Sequence, residues 1–256
     1  MKIVVLDDSK TVLLTIHALL SELGVPDECI SLFSDGYNAL EYIEKNGADI
    51  IFSDINMPGM DGFEFVGKLL ELSQRFVSML FIVSADEHYS DIMQMKHIGA
   101  KRFLRKPINT KHFNHFVAHE IAKVNNKNQE NAIIEKTVEN SVASTAKSDS
   151  MNYEALAIKI GVKVKHIPAL IACFLEEADA IITTLHTILD SNEYSKIERY
   201  AHSLKGSAGN MQFMKLYELA RELELSAKNC NDEFDYRKYG DKMKEEMRLL
   251  VNQLKN

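Results

Sequence analysis

The chain has 256 residues, of which 46% are hydrophobic and 26% charged, and a net charge of −7. That balance excludes wholesale disorder, a collagen-like repeat and a disulfide-stapled miniprotein, and a chain this acidic lacks the basic face that broad nucleic-acid binding needs. At roughly 100–200 residues per domain the length allows one large domain or two small ones. Cys29, Cys173 and Cys230 are far apart, odd in number and form no C-x-x-C pair. Buried free thiols are expected, not a disulfide framework or a zinc knuckle. The apolar run in MKIVVLDDSK is too short for a signal segment, and no stretch approaches 18 consecutive apolar residues. The expectation is a cytoplasmic protein with no membrane span.

In chain order, short apolar runs at Ile3–Leu6, Ile30–Phe33, Ile50–Phe52, Leu80–Val83 and Phe103–Leu104 alternate with helical periodicity. Val12, Ile16, Leu19, Leu20 and Leu23 form one such stripe, which Gly24 and Pro26 stop. Repeated strand-then-helix units over 1–124 predict an open parallel α/β sheet. Residues 125–150 are rich in Asn, Ser, Lys and Glu, with no aromatic residue. They read as a polar linker, although nothing in Ala132–Val138 forbids helix. Residues 151–256 show no convincing strand. A short helix over Tyr153–Ile160 is followed by four amphipathic stripes: one from Ile167 to Leu189, then Ile197/Ala201/Leu204/Ala208/Met211, Leu216/Leu219/Leu223/Ala227, and Tyr239/Met243/Met247/Leu250/Leu254. These predict an all-α four-helix bundle. Most of the negative charge falls on 1–124, which carries a net −5 against −1 for 151–256.

In a parallel sheet, functional groups gather beyond the carboxyl ends of the strands. Asp7 and Asp8 follow the first predicted strand, Asp54 the third and Ser84 the fourth, and Lys106 follows the fifth. Three carboxylates brought together raise one another's pKa, and a divalent cation relieves them. Hard oxygen ligands favour Mg²⁺. Lys106 and Ser84 suit an anion that arrives with the metal, most simply a phosphoryl group. Taken singly, each residue has a plainer reading. Asp7 and Asp8 could be charges at a helix N-terminus; Ser84 a turn residue; Lys106 a solvated charge.

The motifs LDDS (Leu6–Ser9), SDINMPGMDG (Ser53–Gly62), VSAD (Val83–Asp86) and RFLRKP (Arg102–Pro107) make residues 1–124 resemble a response-regulator receiver domain. The resemblance implies a flavodoxin-like five-stranded parallel sheet of order 2-1-3-4-5, with Asp54 as phosphoacceptor. It implies Mg²⁺ on Asp8, Asp54 and the Asn56 backbone carbonyl, with Asp7 acting mainly through water. Ser84 and Lys106 would contact the phosphoryl oxygens, and Phe103 would be an aromatic switch residue, unless it is simple core.

Within the bundle, His202 lies one position beyond the core stripe, about 100° around the helix, which predicts an outward or rim position. Lys205, Gly206 and Gly209 share its face. Two glycines inside a helix each cost about 1 kcal/mol relative to Ala, and a bare patch beside an imidazole lets a bulky partner approach. The stretch YAHSLKGSAGN (Tyr200–Asn210), with LYELARELE (Leu216–Glu224) after it, resembles a histidine-containing phosphotransfer (HPt) domain. This implies phosphorylation of a ring nitrogen of His202, support of the phosphoryl group by Lys205 and docking over Gly206 and Gly209. Gln212 stands where many HPt domains have Gly. His112, His115 and His119 share a face and read as solvated, not as a metal site.

The combined expectation is a phosphorelay protein in which Asp54 accepts a phosphoryl group with Mg²⁺ and His202 carries it to or from a receiver aspartate. No ATP-binding glycine motif is present, so a sensor histidine kinase or other phosphodonor is expected as partner. Another response-regulator receiver is a further candidate partner. The rival is a phosphorylation-switched interaction protein whose HPt domain serves another receiver or only docks. A phosphatase with an Asp nucleophile is disfavoured, because Asp7-Asp8-Ser9-Lys10 departs from D-x-D-x-[TV].

Overall fold

The computed structural model describes residues 1–73, 76, 80–84, 100, 102–129 and 153–255. Ala85 and Asp86 of the VSAD motif, His88, His97 and the expected linker from 130 to 150 lie outside the described residues.

The sheet strands are β1 (Ile3–Leu6), β2 (Ile30–Phe33), β3 (Ile50–Asp54), β4 (Leu80–Ser84) and β5 (Arg102–Arg105). They run parallel in the order β2-β1-β3-β4-β5. The inner strands β1, β3 and β4 are buried at every position, while the edge strands β2 and β5 are only partly so. Inner strands covered on both faces read as continuous apolar runs instead of alternating ones. The two faces still separate. Ile3, Val5, Phe52, Phe81 and Leu104 join one core; Val4, Leu6, Ile51, Ile82 and Phe65 join the other.

Three of the helices that follow the strands begin on side-chain caps. Ser9 accepts from the Val12 amide at the start of α1 (Lys10–Glu22), Asp35 from Asn38 at α2 (Gly36–Asn46) and Asp61 from Glu64 at α3 (Gly62–Leu72). Each cap satisfies one of the donors that a helix start leaves open. After β5, the Asn109 side chain accepts from His112 at the head of α4 (Thr110–Gln129). This helix runs five residues into the stretch expected as linker, whose Lys and Gln tolerate helix well.

The C-terminal half is helical, with α5 (Tyr153–Ile160), α6 (Ile167–Ile188), α7 (Tyr194–Asn210), α8 (Met214–Lys228) and α9 (Tyr236–Lys255). The last four form the bundle around Phe174, Ile182, Leu185, Leu204, Leu216, Leu223 and Met243. Gln212, in the turn between α7 and α8, has φ 60°, the left-handed region where glycine fits, and its Nε2 donates to the Gly209 carbonyl at 3.2 Å. The cysteines are free, but they are not buried as expected. Cys29 and Cys173 are half-buried, and Cys230 is exposed in the turn after α8. No helix among the described residues is long and apolar enough to cross a membrane.

Helix α1 joins the halves. It packs on β1, β2 and α4 on one side and on α6 and α7 on the other. The apolar cluster under α1 is continuous with the bundle core. Polar contacts border this seam. Lys163 and His166 face Glu22 at 3.1 and 3.5 Å, and the Thr110 hydroxyl donates to the Ile160 carbonyl at 2.6 Å.

Gly62, the first residue of α3, has backbone on the side where a Cβ would stand. That atom would lie 2.6 Å from the Asp54 carbonyl oxygen and the Ile55 Cα. Only glycine lets α3 close this tightly over the end of β3. Gly62→Ala is predicted to lower stability by about 1–3 kcal/mol, the usual range for overpacking. An unchanged urea midpoint would count against this reading of the turn.

Candidate functional site

The ends of β1, β3, β4 and β5 bring Asp7, Asp8, Asp54, Ser84 and Lys106 to one rim. Asp7 and Asp54 are fully buried, and Lys106 and Ser84 nearly so. Backbone pairing fixes the rim. The Asp7 amide donates to the Phe33 carbonyl at 3.1 Å, and the Lys106 amide to the Ser84 carbonyl at 2.8 Å. Lys106 Nζ lies 2.8 Å from Asp54 Oδ2 and donates a hydrogen bond to it. It lies 2.7 Å from Asp7 Oδ2, as an ion pair without the alignment of a hydrogen bond. Asp54 Oδ1 accepts from the Ile55 amide at 2.7 Å.

One ammonium therefore faces three carboxylates whose oxygens lie within 4.8 Å of one another. Burial pushes the Asp7 carboxyl up to about 8, against the pull of Lys106, with Asp54 and Asp8 adding to the rise. Burial raises Asp8 as well. Burial alone would lower the Lys106 ammonium, but Asp54 and Asp7 outweigh it and hold the group above its ordinary range. The donor set is all hard oxygen and short of positive charge, which suits a small divalent cation. Among the described residues, this is the one cluster of three or more metal-ligating side chains. His112, His115 and His119 form none.

The second half of the site comes from α7, which lies across this rim. His202 was expected to face outward or sit at an edge. It is instead only 9% exposed. The receiver half covers it, and its Nε2 lies 3.4 Å from Asn56 Nδ2, two residues beyond Asp54. Gly206 and Gly209 lie on the same approach. A Cβ on Gly206 would touch Lys106 Cδ at 3.8 Å; one on Gly209 would meet Pro107 Cβ at 3.4 Å and the Tyr217 ring of α8 at 3.1 Å. The Ser203 hydroxyl donates to Asp8 Oδ2 at 3.0 Å, and the Ile108 amide donates to Asn210 Oδ1 at 2.8 Å. Glu177 on α6 accepts from the Thr11 amide at 3.1 Å and from its hydroxyl at 2.6 Å.

Glu224 on α8 was not singled out in the sequence, and it organises the histidine. Its Oε1 lies 2.6 Å from His202 Nδ1 and its Oε2 lies 2.6 Å from Lys205 Nζ. Burial would raise this carboxyl, but the hydrogen bond and charge of His202, with Lys205, outweigh it and hold Glu224 below the usual carboxylate range. An ionised carboxylate only accepts, so Nδ1 donates to Glu224; whenever the ring is neutral, this leaves the lone pair on Nε2, the nitrogen that faces Asn56. Lys205, expected to serve a phosphoryl group directly, is bound to Glu224 here. Phe103 stands apart from this constellation. It is half-buried against the opposite core and lines a cleft of about 860 Å³ with Phe81, Arg102, His115, Phe116, His119 and Glu120.

Comparison with known proteins matches both halves. The family model described as "Response regulator receiver domain" covers residues 3–118, and the one described as "Hpt domain" covers 169–256. Protein PilG of Pseudomonas aeruginosa is 30% identical over 107 residues, which is 42% of this chain and 77% of that protein. Two-component response regulator ORR21 of Oryza sativa subsp. indica is 33% identical over 136 residues, 51% of this chain but only 18% of that protein. Among solved structures, chemotaxis response regulator CheY4 of Vibrio cholerae is 27% identical and aligns with 46% of this chain and 97% of its own, at a TM-score of 0.41. With a receiver domain at one end and an Hpt domain at the other, the chain belongs to the response-regulator receiver family and is a phosphorelay protein.

Proposed function

We propose that Asp54 and His202 exchange a phosphoryl group within one chain, and that the docked arrangement is the complex in which this happens. The observation that supports it is the burial of His202 against the receiver rim with Nε2 directed at Asn56, beside Asp54. Phosphoryl transfer asks little covalent chemistry of a protein and depends on positioning and charge. Asp54, Asp8 and the Asn56 backbone carbonyl would hold Mg²⁺, with Asp7 adjoining. The metal, when bound, supplies the positive charge that three carboxylates and a phosphoryl group together require.

The remaining work falls to the chain. Lys106, held by Asp7 and Asp54, and the Ser84 hydroxyl would contact the phosphoryl oxygens. The Nε2 lone pair of His202 attacks phosphorus, the P–N bond forms, and the P–O bond to Asp54 breaks with its electrons returning to the carboxylate. Nδ1 keeps its proton on Glu224, so the positive charge that develops on the ring faces an anion. Lys205 balances Glu224 in turn. The reverse step uses the same groups. The phosphoryl group enters the chain from a histidine kinase or another phosphodonor, and the chain acts as a self-modifying phosphocarrier.

Labelling with a small acyl phosphate and Mg²⁺ tests this. In wild type, base-labile label on Asp54 precedes acid-labile label on His202. Asp54→Ala abolishes both, and His202→Gln retains only the first. Excess chelator suppresses both labels. Transfer in wild type is independent of protein concentration, whereas an equal mixture of Asp54→Ala and His202→Gln chains slows on dilution. A phosphorylated Asp54 that never passes its label to His202 at any concentration would refute the relay.

Glu224 carries a separate prediction. Glu224→Ala slows transfer to His202 by roughly 10- to 100-fold, the scale seen when the group orienting a histidine is removed, while labelling of Asp54 continues. Its carboxyl is depressed in the fold from an ordinary value of 4.5, so the unfolded chain binds more protons there. Its stabilising contribution is complete above about that pH and fades as pH falls. Acid titration of unfolding in wild type and Glu224→Gln should show the wild type losing more stability below this point. Parallel curves would contradict it.

A further inference from the structure

Most contacts between bundle and receiver would be made to many receivers. Asn210 reads a backbone amide, Ser203 reads an aspartate that belongs to the acidic rim itself, and the glycines offer only closeness. Glu177 differs from these contacts around the rim, because it binds a side-chain hydroxyl that the rim does not require; the pairs Lys163–Glu22 and Thr110–Ile160 lie elsewhere along the seam. Thr11 is the second residue of α1 and is completely buried. The receiver's own Ser9 satisfies the Val12 amide, and Glu177 from the bundle satisfies the Thr11 amide and hydroxyl. The start of α1 is thus capped by both domains, one backbone amide each, with the Thr11 hydroxyl also on Glu177.

The placement of Glu177 is costly without that recognition. It brings a further carboxylate within Coulombic reach of Asp8, where the rim already holds three. An open cleft of about 300 Å³ runs beside the pair, with Asp8, Lys10 and Ser203 on its polar side and Ala180, Ile181 and Tyr200 on its apolar side. A receiver with an apolar residue in place of Thr11 leaves a carboxylate oxygen short of a donor, and one with an acidic residue repels it.

We propose that Glu177 is a specificity-determining residue of the docked pair: it reads the amide and hydroxyl of Thr11 and directs His202 to its own receiver in preference to receivers without a hydroxyl there. The proposal rests on the intramolecular phosphotransfer described above and goes beyond it by naming what selects the partner.

The experiment uses the full chain, with a small acyl phosphate and Mg²⁺ as the phosphoryl source. Thr11→Val, which keeps the shape and removes the hydroxyl, slows passage of label from Asp54 to His202 about fivefold. Glu177→Lys slows it at least tenfold, read as the rate at which label already on Asp54 reaches His202. Adding Thr11→Glu to Glu177→Lys replaces the hydrogen-bonded pair with an ion pair across the same contact and brings transfer back to within about threefold of wild type. Small-angle scattering reads docking without any chemistry. Glu177→Lys raises the radius of gyration and the double variant restores it. A Glu177→Lys chain as compact as wild type overturns the proposal, whatever its labelling. So does Glu177→Lys transfer at the wild-type rate. A wild type that is compact but passes no label would refute the phosphotransfer reading alone, and scattering of the variants would still decide this one.

Discussion

A single buried ammonium holds the centre of this molecule together. Lys106 reaches back from the end of β5 to Asp7 just beyond β1 and Asp54 on β3, spanning strands that are not all neighbours in the sheet. Removing charges from water is expensive, and the cost is met only where partners are close and well placed. Burial raises the Asp7 and Asp8 carboxyls, and their neighbouring carboxylates add to the rise, so three acidic groups against one ammonium leave a deficit of positive charge. The deficit makes the rim receptive to further positive charge. The same groups that stabilise the sheet's end therefore leave it chemically unsatisfied.

The bundle answers this rim with polar groups instead of sealing it with apolar ones. Ser203 donates to Asp8, and Asn210 accepts from the backbone beyond Pro107. Glu224 lies behind the histidine, away from the carboxylates, so its negative charge steers the imidazole proton without adding to the crowd at the rim. Charge alternates through the site as carboxylates, histidine, carboxylate and ammonium. A buried run of this kind keeps its geometry because displacing any one member strands its neighbour.

Much of this was legible in the sequence, for identifiable reasons. The inner strands are buried on both faces, so their apolar runs stand out, and the aspartates, serine and lysine fall at their ends because that is where a parallel sheet presents polar groups. His202 was legible through the glycines and lysine that share its face. Its burial was not, because periodicity places a side chain relative to its own helix and is silent about what another domain lays over it. Glu224 escaped notice as one glutamate among several on an amphipathic helix. Thr11 and Glu177 lie 166 positions apart, and no local pattern connects residues that distant. The polar start of the expected linker proved helical because its residues do not oppose helix strongly and the preceding turns of α4 carry it on. Cys230 is exposed because it sits in a left-handed turn at the surface, with φ 47°.

Helix α1 lies against the sheet and α4 on one flank and against α6 and α7 on the other. It works as a party wall between two houses. A side chain that changes there must suit both interiors, so the two domains cannot drift apart in sequence along this helix as independent modules can. A graft that exchanges either domain for a relative's must bring a matching α1 surface with it, or rebuild the seam.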